Sequence, residues 1–136
     1  MDTYTINRGF SIIKSKIRKL ELEAIKKNNL DVSDIQWNYL IRVMENRNMK
    51  LSDLAKKLGV QKGTLSNNIK ILLSKKLIKK EKTNNKTTLN ATEKGIKYIK
   101  IHKKTRALME KALRKVISEE ELNTLIKIGI KIQDNL

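Results

Sequence analysis

Two short amphipathic runs hinged on a single glycine constrain this chain more than any other feature. In Leu51-Ser-Asp-Leu-Ala-Lys-Lys-Leu-Gly-Val60, the residues Leu51, Leu54, Ala55 and Leu58 recur at helical spacing and share one face. Ser52 is the expected N-cap, and Asp53 suits the positive end of the helix dipole. Gly59 stands where a chain leaving a helix needs a left-handed residue, and Val60 tucks the turn into the core. A second helix is expected over 62–75, with Leu65, Ile69, Leu72 and Leu73 on its buried stripe. Two short helices, a tight glycine turn and this apolar spacing define a helix-turn-helix.

The flanks extend the pattern. Ile6, Phe10, Ile13, Ile17, Leu20 and Ile25 predict an amphipathic helix over about 6–28, ended by Asn28-Asn29. Ser33 with Gln36 three residues later matches a capping box, which starts a helix that runs to about Glu45. Its expected apolar face is Ile35, Trp37, Leu40, Ile41 and Met44, and Asn46-Arg47-Asn48 is a polar break. After Leu77, residues 78–83 and 87–91 can pair as two strands around the tip Asn84-Asn85-Lys86, because Asn tolerates the turn conformations required. Thr92 caps a predicted helix over 93–117, with Ile96, Ile99, Leu108, Leu113 and Val116 among its apolar positions. Ser118 and Glu121 form a second capping box before a last helix over 119–134. That helix is apolar on more than one side, and a chain of 136 residues has little interior to hide it. A dimer interface is the natural place for it.

Charge narrows the choice of partner. The chain carries 31 Lys+Arg against 14 Asp+Glu, a formal net charge of +17. Residues 50–104 hold 16 lysines and only three acids (Asp53, Glu81, Glu93), so +13 of that excess lies in the middle of the chain. Such a band favours a polyanion, since each cation near a phosphate releases condensed counterions. Absence of cysteine excludes disulfides, thiolate metal sites and thiol redox sensing. No apolar run reaches the roughly 18–20 residues of a membrane span, and no signal-peptide core follows the N-terminus, so a cytoplasmic protein without membrane contact is expected. The sequence offers no Ser-His-Asp set, carboxylate pair or Gly-rich phosphate loop, which argues against an enzyme and calls for no cofactor or metal. The single histidine, His102, is expected to be an inert exposed residue. Glu119-Glu120-Glu121 is explained by the charge preference of a helix N-terminus.

The residues Leu51 to Val60, then Thr64-Leu-Ser66, Leu72-Leu-Ser-Lys-Lys-Leu-Ile78 and Leu89-Asn-Ala-Thr-Glu-Lys-Gly95, resemble the MarR family of dimeric winged-helix regulators. The resemblance implies a mainly α fold with a small β-hairpin wing: a winged helix-turn-helix plus N- and C-terminal dimerisation helices. The expected organisation is one domain over 1–136, with a DNA-binding lobe at 33–95 and dimerisation helices at 1–30 and 96–136. It further implies a homodimer on a pseudo-palindromic operator in double-stranded DNA, with a small-molecule effector as a further partner to look for. The family's wing commonly carries an Asp-x-Arg element whose Arg enters the minor groove. Here that stretch is Thr83-Asn-Asn-Lys-Thr-Thr88, and Lys86 is the only basic substitute. Asn67 stands where an Arg often follows the Thr-x-Ser element.

The second short helix then becomes the candidate reader. Opposite its apolar stripe it presents Gln61, Lys62, Thr64, Ser66, Asn67, Asn68 and Lys70, side chains of the kind a recognition helix needs near its N-terminus. Gln and Asn pair with adenine and Thr offers a methyl to thymine, so an A/T-rich half-site is expected. Gly63 permits close backbone approach to a phosphate at the helix start. No acid occurs between Asp53 and Glu81, where a merely solvated helix face would use Glu. Lys82 and Lys86 are the wing candidates; Lys75, Lys76, Lys79 and Lys80 form a wider set from which phosphate contacts are drawn. Trp37, Tyr39 and Tyr98 are candidates to line an effector pocket, with plain core the favoured place for Trp37. The leading function is sequence-specific repression. A nonspecific architectural DNA-binding protein and a winged helix used for protein contacts are the alternatives.

Overall fold

The computed structural model describes residues 3–136. Six helices and one hairpin follow in the order α1 (Thr3–Lys27), α2 (Asp34–Glu45), α3 (Leu51–Leu58), α4 (Lys62–Ser74), β1 (Ile78–Thr83), β2 (Lys86–Ala91), α5 (Glu93–Leu113) and α6 (Glu119–Asn135). The expected winged helix-turn-helix with flanking helices is present. Its core gathers Trp37, Leu40 and Val43 of α2, Leu54 and Ala55 of α3, Leu65, Ile69 and Leu72 of α4, and Leu77, Ile78 and Tyr98. Trp37 is fully buried and donates from Nε1 to the Tyr98 carbonyl at 3.0 Å. The polar tip of this large side chain is thereby satisfied.

Local chemistry explains the element boundaries. Both capping boxes form: Ser33 with Gln36 opens α2, and Ser118 with Glu121 opens α6. Thr92 caps α5 by accepting from the Gly95 N–H. Helices α1, α3 and α4 close alike, on a left-handed residue followed by an apolar one: Asn29 (φ 53°) then Leu30, Gly59 (φ 67°) then Val60, and Lys76 (φ 59°) then Leu77. In each case the apolar residue's N–H reaches back to the last turn, at Ile25, Ala55 or Leu72. The wing is a two-residue hairpin with Asn84 and Asn85 both at positive φ, the geometry whose twist matches the strands.

Five expectations are corrected. Ser52 lies inside α3 rather than capping it; Lys50 occupies the cap position and contributes no side-chain bond. Ile35 points to solvent, and Val43 takes the buried place on α2. Lys86 begins β2 and pairs with Thr83, so the tip is Asn84-Asn85 alone. Helix α5 stops at Leu113, where Arg114 bonds to Glu110 and pairs with Glu119, and Val116 is left exposed in the turn.

The fifth correction is His102, which is buried rather than exposed. Its ring meets Trp37 edge-on with centroids 4.7 Å apart. Nε2 lies 3.3 Å from Asn38 Oδ1. The Asn38 amide nitrogen donates to Glu21 and to the Asp34 carbonyl, which makes its oxygen an acceptor and His102 Nε2 the donor. Burial first, then Arg106 and Arg42, lowers the His102 pKa from 6.5 to about 4. The folded state holds this ring neutral, whereas the unfolded chain protonates it near pH 6.5. Its contribution to stability is therefore complete above that pH and falls away as pH drops toward 4. Between pH 7 and 4.5, urea denaturation should show the chain losing about 2 kcal/mol more than His102→Gln does. Equal losses for both proteins would refute the assignment.

Candidate nucleic-acid interface

Helix α4 turns Leu65, Ile69 and Leu72 into the core, which leaves its opposite side at the surface. Gln61, Lys62, Gly63, Thr64, Asn67 and Lys70 are exposed, while Ser66 and Asn68 are half-buried. Asn68 donates from Nδ2 to the Thr64 carbonyl at 2.9 Å, so half of its donor capacity is spent on its own helix. Asn67 makes no such bond. The structure thus brings the helix residues of the expected reading face onto one surface, with Asn67 as its free amide and Asn68 partly committed.

The helix N-termini divide into two groups. Ser33, Thr92 and Ser118 cap α2, α5 and α6 with side-chain oxygens. In α3 and α4, the two helices of the helix-turn-helix, Lys50 and Gln61 sit at the cap position and make no side-chain cap bond, and among the described residues no other side chain meets the first-turn N–H groups. Those donors keep their affinity for an anion, and the helix dipole adds to it. Nothing stands within 4 Å of where a Gly63 side chain would project, so the start of α4 is open to close approach.

The lysines separate by partner. Lys62, Lys70, Lys82 and Lys86 are exposed and make no ion pair among the described residues. Lys75 is instead held inside the chain, donating to the Asp31 carbonyl and to Gln36 Oε1, each at 2.9 Å. Lys79 pairs with Glu81 at 3.1 Å. These two therefore leave the wider set of phosphate candidates. Lys82 pairs in register with Thr87 and Lys86 with Thr83, which puts both at the outer end of the hairpin.

Sequence reasoning passed over Arg47. Its guanidinium donates to Asn90 Oδ1 at 2.9 Å, and Asn90 donates in turn to Glu81, so the loop before α3 is tied to the base of the wing. The attraction of Lys79, Asn90 and Arg47 holds the Glu81 carboxyl below its ordinary pKa. Only the position of Arg47 directly ahead of α3 hinted at this.

A groove of about 620 Å³ runs between α2 and α5, lined by Asn38, Ile41, Arg42, Ile99, His102 and Arg106 among others. Trp37, Tyr39 and Tyr98 are not among its walls; Trp37 is core, as favoured. No group of three or more His, Cys, Asp or Glu side chains could hold a metal among the described residues. No described helix is long and apolar enough to cross a membrane.

A helix-turn-helix whose second helix keeps an exposed polar face, with a hairpin wing and long flanking helices, is the winged-helix architecture. The family model that matches is that of the MarR family, over residues 32–86. Over that stretch the chain is similar to the MarR family, and solved structures share its fold along nearly its full length. FabT of Streptococcus pneumoniae, solved in complex with DNA, is 20% identical, with 98% of this chain and 96% of that one covered at a TM-score of 0.78. MepR of S. aureus, also solved with DNA, is 23% identical over the full length of both chains at 0.76. MarR of S. aureus, in complex with salicylate and kanamycin, is 20% identical, covering 97% and 90% at 0.76. No curated protein matches the sequence.

Proposed function

We propose that this protein is a homodimeric, sequence-specific double-stranded DNA-binding repressor that reads a pseudo-palindromic, A/T-rich operator through α4. The observation that carries the reading is the pair of uncapped helices in the helix-turn-helix, set beside Lys62, Lys70, Lys82 and Lys86, which make no ion pair among the described residues. Two first turns that lack side-chain acceptors, in a chain whose other described caps are all Ser or Thr, fit a surface whose acceptors are phosphates. Gln61, Lys62, Gly63 and Lys70 bind backbone, and Thr64, Ser66, Asn67 and Asn68 face base edges. Lys82 and Lys86 follow the flanking backbone from the wing. Dimerisation rests on α6, which buries no residue within the chain and exposes Leu125, Ile126, Ile128, Ile130 and Ile132. Ile6, Phe10 and Ile13 of α1 are exposed as well and complete the interface. A small-molecule effector would act in the α2–α5 groove.

Anisotropy titration of adjacent intergenic DNA against random duplex at fixed salt tests the reading. Operator binding is expected to be at least about 10³-fold tighter. A ratio near one would instead establish a nonspecific architectural protein. Footprinting should protect two half-sites about one helical turn apart. Gly63→Ala provides a further check. Alanine in this exposed helical position should raise stability by up to about 1 kcal/mol. The added methyl should nonetheless weaken DNA binding severalfold if a phosphate closes on the helix start. Unchanged affinity would remove Gly63 from the interface.

A further inference from the structure

At the seam between the flanking helices and the helix-turn-helix, one amide ties α1, α2 and α5 together. Asn38 of α2 uses every hydrogen-bonding position it has. Nδ2 donates to Glu21 Oε2 of α1 at 2.7 Å and to the Asp34 carbonyl at 2.9 Å. Oδ1 accepts from His102 Nε2 and from Arg106 of α5, each at 3.3 Å. Arg106 also reaches Glu21 Oε1 at 2.6 Å, and Glu21 is 3% exposed. Three helices thus meet in one closed polar ring, built from residues 17 to 85 positions apart. No buried side-chain N or O is left without a partner among the described residues.

A ring of this kind is more directional than apolar packing. Burial of apolar surface has no directional preference of its own, whereas a saturated amide between a carboxylate and a guanidinium favours one geometry. Stability alone is a weak account of such a ring, because a partly buried ion pair is often matched by apolar side chains of similar volume. We propose that Asn38 is a positioning residue, which with Glu21, Arg106 and His102 fixes the angle at which the reading lobe is carried on the flanking helices and so sets the half-site spacing the dimer accepts. The link to spacing rests on the dimeric operator reading above; the link to lobe angle does not.

The titratable and charged groups around the ring are few and identifiable. From α1 come Glu21, Arg18 and Lys14; from α2, Asp34, Arg42 and Glu45; from α5, His102, Lys103, Arg106 and Glu110. Among them Arg18 pairs with Asp34 at 3.2 Å, a second tie between α1 and α2, but with the arginine largely in solvent. An exposed pair of that kind contributes little rigidity. The ring is therefore the tie to cut.

Spin-label distances measure the lobe angle directly, and a cysteine-free chain needs no background removed. Cysteines introduced at Lys19 on α1 and Lys70 on α4, with labelled chains diluted into unlabelled ones, report one intrachain distance. Asn38→Ala is expected to widen that distribution about twofold, since the lobe loses a four-way tie to α1 and α5. Arg106→Lys keeps the charge and folding but loses the fork that reaches Glu21 and Asn38 together, and should widen it as well. Unchanged widths in both variants overturn the proposal. Operator duplexes with one base pair inserted between half-sites, a rotation of about 34°, give the functional readout. The unmodified protein should lose tenfold or more on this insertion, and both variants about threefold or less. Variants that lose affinity equally at every spacing while keeping narrow distances would make the ring merely structural and sink the proposal. Wide variant distances together with a flat spacing profile for every protein would overturn the operator reading and leave the positioning role standing.

Discussion

Gly95→Ala should remove roughly 3 kcal/mol or more of folding stability, far beyond the usual cost of adding one methyl. Gly95 lies in the first turn of α5, where the helix is pressed against Leu77, just ahead of β1, and Ala91 at the end of β2. A Cβ there would land on the Leu77 carbonyl oxygen, far inside contact distance, with the carbonyl carbon at 3.0 Å and Ala91 Cβ at 3.4 Å. The obstacle is backbone, so no rotamer change relieves it. The same carbonyl accepts from the Thr92 N–H at 3.1 Å and from the Thr92 hydroxyl at 3.2 Å. Moving α5 outward breaks these bonds and uncovers Leu77 and Ile78, both essentially fully buried. A loss of this size consumes a large part of the roughly 5–15 kcal/mol that holds a domain together. Urea denaturation followed by fluorescence of the single, buried Trp37 measures it. Gly63→Ala is the matched control: the same chemical change is made where nothing lies within 4 Å, and the expected sign is reversed. Equal stability for Gly95→Ala and the parent protein would mean that α5 does not dock on Leu77 as described.

Much of the architecture is legible in the sequence because its signals are local. Gly59 and the two Asn residues of the wing tip announce positive φ, and the Ser33/Gln36 and Ser118/Glu121 pairs act across three positions. Such features are fixed by residues that neighbour one another along the chain. The start of α3 is less legible because Ser52 and Lys50 are both compatible with a helix beginning at that point, and backbone geometry alone decides between them. Helix α5 misleads for a different reason. Its large aliphatic residues Ile96, Leu108 and Leu113 are exposed in the single chain, whereas Gly95, Tyr98, His102 and Met109 form the buried stripe. The spacing of that stripe is helical, but three of its four members carry no aliphatic side chain, so a search by apolarity misses it. His102 is hidden for the same reason. Its burial depends on Trp37 and Asn38, more than sixty positions earlier.

The exposed face of α4 is legible in the sequence as a list of side chains, but not as a ranking. Lys75 looks like any other lysine beside the wing until Asp31 and Gln36 arrive from another part of the chain to hold it. Asn68 and Asn67 are equivalent in sequence, and the bond to Thr64 together with the half-burial of Asn68 distinguishes them. The uncapped starts of α3 and α4 are a structural observation with a weak trace in sequence, namely Lys50 and Gln61 at places where the other helices carry Ser or Thr.

That ranking sharpens the test with the largest functional effect. Thr64→Ala, Asn67→Ala and Asn68→Ala combined should reduce operator affinity by about 10²–10⁴-fold, since each well-made base contact contributes roughly 1–3 kcal/mol of discrimination. Folding should survive, because alanine is the best helix former and Leu65, Ile69 and Leu72 are untouched on the opposite face. No charge is removed, so affinity for random duplex and its slope against salt should stay as they were. Operator binding should therefore fall toward the random-DNA value and stop there. Of the single variants, Asn67→Ala should cost more than Asn68→Ala, because Asn67 makes no bond within its helix and Asn68 has already committed one donor to Thr64. Anisotropy titrations of the four proteins at one salt concentration, on operator and on random duplex, decide the matter. Retained operator affinity in the triple variant would move the reading face off α4. A parallel fall on both DNAs would mean that these side chains hold backbone and that sequence is read elsewhere, with the wing lysines Lys82 and Lys86 the next to examine.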